Sequence, residues 1–193
     1  MIKILFSVFT LFILLTLYSC SPTGVIASGS ATTMVVAEGD RTLGTVVDDT
    51  TIKINISSNL LSSSTNLFVN INTNVIEGRV LLTGIVDTQE IRIEAVRKVW
   101  EVDGVREVIN EIEIGNKTTI KEYANDLWIT TQVKGLAAKT IGLRALSYNF
   151  ETIKGKVYIA GITSRPEQLN QIVEVTKTIK GVKEIINYVI IKE

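Results

Sequence analysis

The chain repeats itself. Shifted by 77 positions it matches itself without a gap: Asp49 falls on Asp126, Ile52 on Ile129, Asn72 on Asn149, Gly78 on Gly155 and Gly84 on Gly161. The match continues through Glu90 and Glu167, Gly104-Val105 and Gly181-Val182, and Ile109-Asn110 and Ile186-Asn187. Conservative pairs such as Ile56/Val133, Leu82/Ile159 and Val108/Ile185 fill the intervals. A repeat at fixed offset restricts the fold more than local propensity does, because each copy must close its own core within roughly 70 residues. Two domains of one fold follow, at residues 40–116 and 117–193.

Each copy carries the same coarse pattern. Ile52, Ile56 and Leu60, like Ile129, Val133 and Leu136, have the spacing of an amphipathic helix, and Asp49 and Asp126 stand where an N-cap would. A hairpin comes next, Leu67–Thr73 to Arg79–Gly84 and Leu143–Phe150 to Lys156–Gly161, turning at Gly78 and Gly155. Asp87…Glu90 and Ser164…Glu167 have the form of capping boxes opening a second helix, which stops near Gly104 and Gly181. A last strand covers 105–114 and 182–191. The predicted class is α/β of the α+β kind, with order α-β-β-α-β. Each domain is expected to hold a three-stranded mixed sheet under two helices.

The first residues have a separate logic. Lys3 precedes an apolar run from Ile4 to Leu17, long enough for a signal-peptide core and short of the roughly 20 residues that span a bilayer. The run ends in Leu17-Tyr18-Ser19-Cys20, which resembles the lipobox of bacterial lipoproteins, with Tyr18 departing from the usual choice. That resemblance implies removal of residues 1–19 and acylation of Cys20. Ser21, in place of the Asp linked to inner-membrane retention, then implies the outer membrane with the protein facing the periplasm. An uncleaved signal anchor is the competing reading. Residues 20–39 are small, polar and aperiodic, and read as a tether.

The side-chain inventory excludes much. There is no histidine, and Cys20 is the one cysteine, so a His-based triad, a His/Cys zinc site and an internal disulfide are ruled out. The 20 basic and 20 acidic residues cancel, which gives no global charge for nucleic acid. The glycines punctuate turns and caps and form no phosphate loop. Carboxylates such as Glu90/Glu94 and Glu107/Glu111/Glu113 spread over a helix and a strand as a solvated face would. The expectation is a non-enzyme with no cofactor, metal or small-molecule substrate.

Several motifs identify a relationship. Gly78–Gly84 reads G-x-V-x-L-x-G and Val102–Asn110 reads V-x-G-V-x-x-V-x-N; Gly155–Gly161 and Ile179–Asn187 carry the same marks. They resemble the BON domain. The stretches DRTLGTVVDD (Asp40–Asp49) and NDLWITT (Asn125–Thr131), with the lipobox, are similar to the dual-BON outer-membrane lipoproteins. A soluble periplasmic branch of the family lacks the anchor, so Cys20 separates the two. The resemblance implies a role in envelope integrity, binding of anionic phospholipid by the second domain, and enrichment at division sites.

Charge points to the same domain independently. Residues 48–116 hold six basic and eleven acidic residues, net −5, and residues 125–193 hold ten basic and six acidic, net +4. Each basic residue near an anionic surface is worth about 1 kcal/mol, which favours the second copy. Docking of one copy on the other is the alternative use of that asymmetry. Trp128 lies one helical step from Ile129, and its counterpart is Thr51, a residue suited to solvent. A tryptophan there fits a headgroup layer, or fills a gap between the domains. Leu127, Thr131, Lys134 and Gly135 flank it, and Lys139 reaches from the next turn. These six residues are the candidate phospholipid contacts. Trp100 is expected in the core or between domains. The alternative function is a periplasmic protein-interaction or chaperone-like module that accepts a client strand at a sheet edge.

Overall fold

A computed structural model describes residues 42–116 and 118–192. The apolar leader, Cys20 and the tether lie outside the described residues. The first copy consists of α1 (Leu43–Ser63), α2 (Thr65–Asn70), β1 (Ile71–Ile76), β2 (Arg79–Val86), α3 (Gln89–Trp100) and β3 (Glu107–Ile114). The second consists of α4 (Ile120–Ile141), a 3-10 segment (Gly142–Ser147), β4 (Tyr148–Ile153), β5 (Lys156–Thr163), α5 (Pro166–Lys177) and β6 (Glu184–Ile191). Each copy has a mixed three-stranded sheet, antiparallel in β1–β2 and β4–β5 and parallel in β2–β3 and β5–β6. The α+β expectation holds.

The two aspartates are not caps. Thr42 and Thr119 cap α1 and α4, their hydroxyls accepting from the Thr45 and Glu122 N–H groups, each at 3.2 Å. Asp49 and Asp126 fall inside the helices and are buried, at 4% and 6% exposure. Their carboxylates reach sideways to the hairpin. Asp49 accepts from the N–H of Glu77 (2.8 Å) and Gly78 (2.9 Å); Asp126 accepts from Lys154 (2.7 Å) and Gly155 (2.9 Å). Both turn residues have positive φ, 52° and 75° in one copy and 50° and 83° in the other. This is the two-residue hairpin geometry whose twist suits the strands. Glu77 and Lys154 occupy a left-handed position that costs on the order of 1 kcal/mol, and the charge-assisted pair from the aspartate offsets it. Glycine is required at the second place. A Cβ at Gly78 would lie 2.6 Å from the Gly104 carbonyl, and one at Gly155 2.8 Å from that of Gly181.

Other boundaries moved for local reasons. The N-cap of α3 is Thr88, one residue past Asp87, its hydroxyl accepting from the Ile91 N–H. In α5 it is Arg165, without a side-chain bond, because Pro166 fixes the first helical φ and holds its predecessor extended. The first strands begin later than the apolar pattern suggested. Leu67 sits in α2 and is 1% exposed, plugging the first core. Leu143 and Leu146, three apart, belong to the 3-10 segment, where that spacing brings side chains into register.

Helices cover one face of each sheet, through Ile52, Ile56, Leu60, Ala95 and Val99 in the first domain and Ile129, Val133, Ala137, Leu169 and Ile172 in the second. Yet β2 and β5 are buried on both faces. Their second faces meet each other, in a cluster including Ile76, Leu81, Tyr158, Ala160 and Ile162. The contact follows a pseudo-two-fold axis: Tyr188 donates to the Glu111 carboxylate, and these positions are related by the repeat offset of 77. Lys192 pairs with Glu77 (2.6 Å), and the symmetry-related Lys154 lies alongside Gly115. Lys156 pairs with Glu113 at 2.7 Å. In each of these three contacts the first domain supplies the carboxylate, so the charge asymmetry does serve docking. All three apolar clusters lie between Ile52 and Ile190, so a chain trimmed to residues 21–193 keeps every one of them.

Candidate functional site

The candidate residues lie on α4, a helix of 22 residues with a reciprocal capping box. The Thr119 N–H donates to the Glu122 carboxylate at 2.8 Å, which holds that carboxyl below its ordinary range. Asp126, Ile129, Val133 and Ala137 bury one stripe of this helix, and Asp126 clamps it to the hairpin turn, so its rotation about its axis is fixed. The opposite stripe faces solvent.

Leu127 is 55% exposed and Trp128 48%, and Thr131, Lys134, Gly135 and Lys139 are exposed with them. The six predicted contacts therefore share one solvent-facing side of α4. Lys134 also borders a cavity of about 370 Å³ between the domains, with Lys53, Asn72 and Glu151. Burial pushes the Glu151 carboxyl up, opposed by Lys134 and then Lys53, and Asn72 donates to it at 3.0 Å. Lys134 thus belongs to the outer face and to the cleft.

Sequence reasoning missed Leu143 and Leu146, which are 57% and 61% exposed at the C-terminal end of the same face. The signal was present in Gly142, which ends α4, but the leucines read as strand. Ile120 and Tyr123 add exposed apolar surface at the other end. Trp100 corrects an expectation: it is 52% exposed instead of packed. It closes α3 one helical step from Val99, and the buried stripe of that helix passes through Ala95 and Val99, leaving the indole outside. Among the described residues no group of three acidic side chains is placed to hold a metal ion, and no helix is long and apolar enough to cross a membrane.

The family model described as "BON domain" matches residues 48–116 and 125–193, and so covers both copies. The chain belongs to the BON-domain family. It is a dual-BON protein of the DolP type. It is 29% identical over 163 residues to the outer membrane lipoprotein DolP of Haemophilus influenzae, covering 83% of each chain. It is 32% identical over 154 residues to the 21 kDa hemolysin of Actinobacillus pleuropneumoniae, covering 77% of this chain and 78% of that one. A protein in the gshII 5′ region of Anaplasma centrale is 38% identical over 147 residues, 76% of this chain and 96% of that protein.

Proposed function

We propose that this protein is a non-enzymatic envelope lipoprotein, anchored through Cys20 at the periplasmic face of the outer membrane, whose second BON domain binds anionic phospholipid and so supports envelope integrity. One observation carries the reading. Trp128 stands half exposed among Leu127, Lys134 and Lys139 in the domain of positive charge, where the sibling domain has Thr51. An indole on a rigid helix, with Lys134 and Lys139 further along its outer face, suits a headgroup layer: the ring enters while the N–H stays wet and the ammonium groups meet phosphates. The DolP relative supports the location, as does the lipobox-like Leu17–Cys20. Enrichment at division sites belongs to this proposal on family resemblance.

Vesicle flotation of residues 21–193, made without lipid, tests it. Wild type is expected to float with anionic and not zwitterionic vesicles, and Trp128→Glu to lose at least tenfold in bound fraction. No binding by the wild type would leave Cys20 as the sole membrane contact and turn attention to protein partners at the sheet edges.

A further inference from the structure

The exposed face of α4 does not end flat. Beyond Lys134 it runs into a groove of about 570 Å³, walled by Ala138 on the helix, by Leu143 and Leu146 of the 3-10 segment, and floored by Ala145, Tyr148 and Phe150. Tyr148 and Phe150 are each 5% exposed, so the floor is part of the second domain's core, whereas Leu143 and Leu146 stand out as lips. The groove exists because this domain departs from its sibling here. The first domain closes the same corner with α2, which drives Leu67 into the core; the second uses a 3-10 segment whose inward residue is Ala145, only a methyl.

We infer that this groove holds one acyl chain of an anionic phospholipid, drawn out of the bilayer that the Trp128 face of α4 meets. The inference rests on the lipid reading above and says where the lipid goes. Three features commit the site to that occupant. Its walls and floor are apolar apart from Asn149, the Tyr148 hydroxyl and the amino group of Lys134, a lining that suits a hydrocarbon chain. Lys134 borders it and no carboxylate lines it, so a phosphate at the mouth is matched in charge. It also opens on the same outer side of α4 as Trp128: Lys134 and Ala138, which border it, follow the indole along the helix, Ala138 about 15 Å further on. A chain seated there leaves the headgroup beside Lys134.

The test separates the groove from the surface. The probe is dihexanoylphosphatidylglycerol below its micelle concentration, titrated into residues 21–193 and followed by NMR, with glycerophosphoglycerol as a headgroup without chains. The expected result is saturable binding of the short-chain lipid, with the largest shifts at Ala145, Leu146 and Phe150, and none with the chainless headgroup. Ala138→Leu fills the groove from an exposed helix position and should weaken that binding at least tenfold. The same substitution adds apolar surface, so contact by surface insertion alone predicts unchanged or stronger flotation and unchanged short-chain binding. Trp128→Glu should lose vesicle flotation and keep the short-chain lipid. Flotation intact in the wild type with no saturable binding of the monomeric lipid, or binding unaltered by Ala138→Leu, overturns the groove and leaves the surface reading standing. Failure of both assays overturns both.

Discussion

In the first domain the opening helix presents Thr51 where the second presents Trp128, Ser57 where it presents Lys134, and Ser58 where it presents Gly135. The first is net −5 over residues 48–116 and the second +4 over 125–193. Beneath these differences the chemistry that holds the fold is duplicated: an aspartate inside the first helix, a two-residue left-handed turn, a glycine packed under a glycine carbonyl, and the same strand registers. Invariance marks what closes each domain and divergence marks what each domain touches. The first uses its acids to hold the second, and the second keeps a basic, aromatic-bearing helix face turned outward.

The sharpest way to break the shared part is to remove the helix carboxylates. Asp49→Ala and Asp126→Ala each strip the partner from two turn N–H groups, one of them buried, and should cost about 3 kcal/mol in urea unfolding. Equal losses at the two sites are expected; a loss below about 1 kcal/mol at either would show that its turn holds without the clamp.

The divergent part is next in size. Placing the tryptophan on the other domain, as Thr51→Trp in a Trp128→Glu background, should restore less than a tenth of the vesicle binding lost. On the proposed reading, the acidic surroundings of Thr51 would repel the anionic lipid that Lys134 and Lys139 would attract. Full rescue would show that the indole alone decides and that the charge split serves docking only. Raising the salt to about 0.5 M shortens the Debye length to roughly 4–5 Å and should reduce wild-type flotation several-fold.

The interface itself is a smaller effect. Lys156→Ala with Lys192→Ala removes two half-exposed ion pairs and should cost about 1 kcal/mol or less, read as a split of one unfolding transition into two. The smallest effect concerns the cleft. Burial raises the Glu151 carboxyl above its ordinary value, so its contribution to stability is fully present below that value and is lost as pH rises through the folded one. Glu151→Gln keeps an acceptor for Asn72 and removes the half-buried charge. It should therefore raise Tm by ~1–2 °C at pH 7 and leave it unchanged near pH 4, by scanning calorimetry.

These contrasts also separate what local sequence dictates from what only distant contacts decide. The offset of 77, the hydrophobic spacing of Ile52, Ile56 and Leu60 and the paired glycines carry the class, strand order and domain number, because each is set by local periodicity or backbone sterics. The outward direction of Trp128 was legible by subtraction from Thr51. What escaped depends on contacts far apart in sequence. Asp49 looks like a cap until the hairpin 28 residues on supplies its donors. Leu143 and Leu146 look like strand until Gly142 is seen to end a helix and start a tight turn. The packing of sheet on sheet left its trace only in the unbroken burial of β2 and β5.

The meeting of Glu111 with Tyr188 has a last consequence. Were the two domains separate copies of one polypeptide, residues on the axis would face their own kind, glutamate opposing glutamate or tyrosine opposing tyrosine. Joined in one chain, the pair becomes acid and hydroxyl, and assembly no longer depends on how much protein is present. A tether of this sort sets an effective concentration in the millimolar range, so a junction of modest strength stays closed however scarce the protein, where an equivalent dimer would fall apart by dilution.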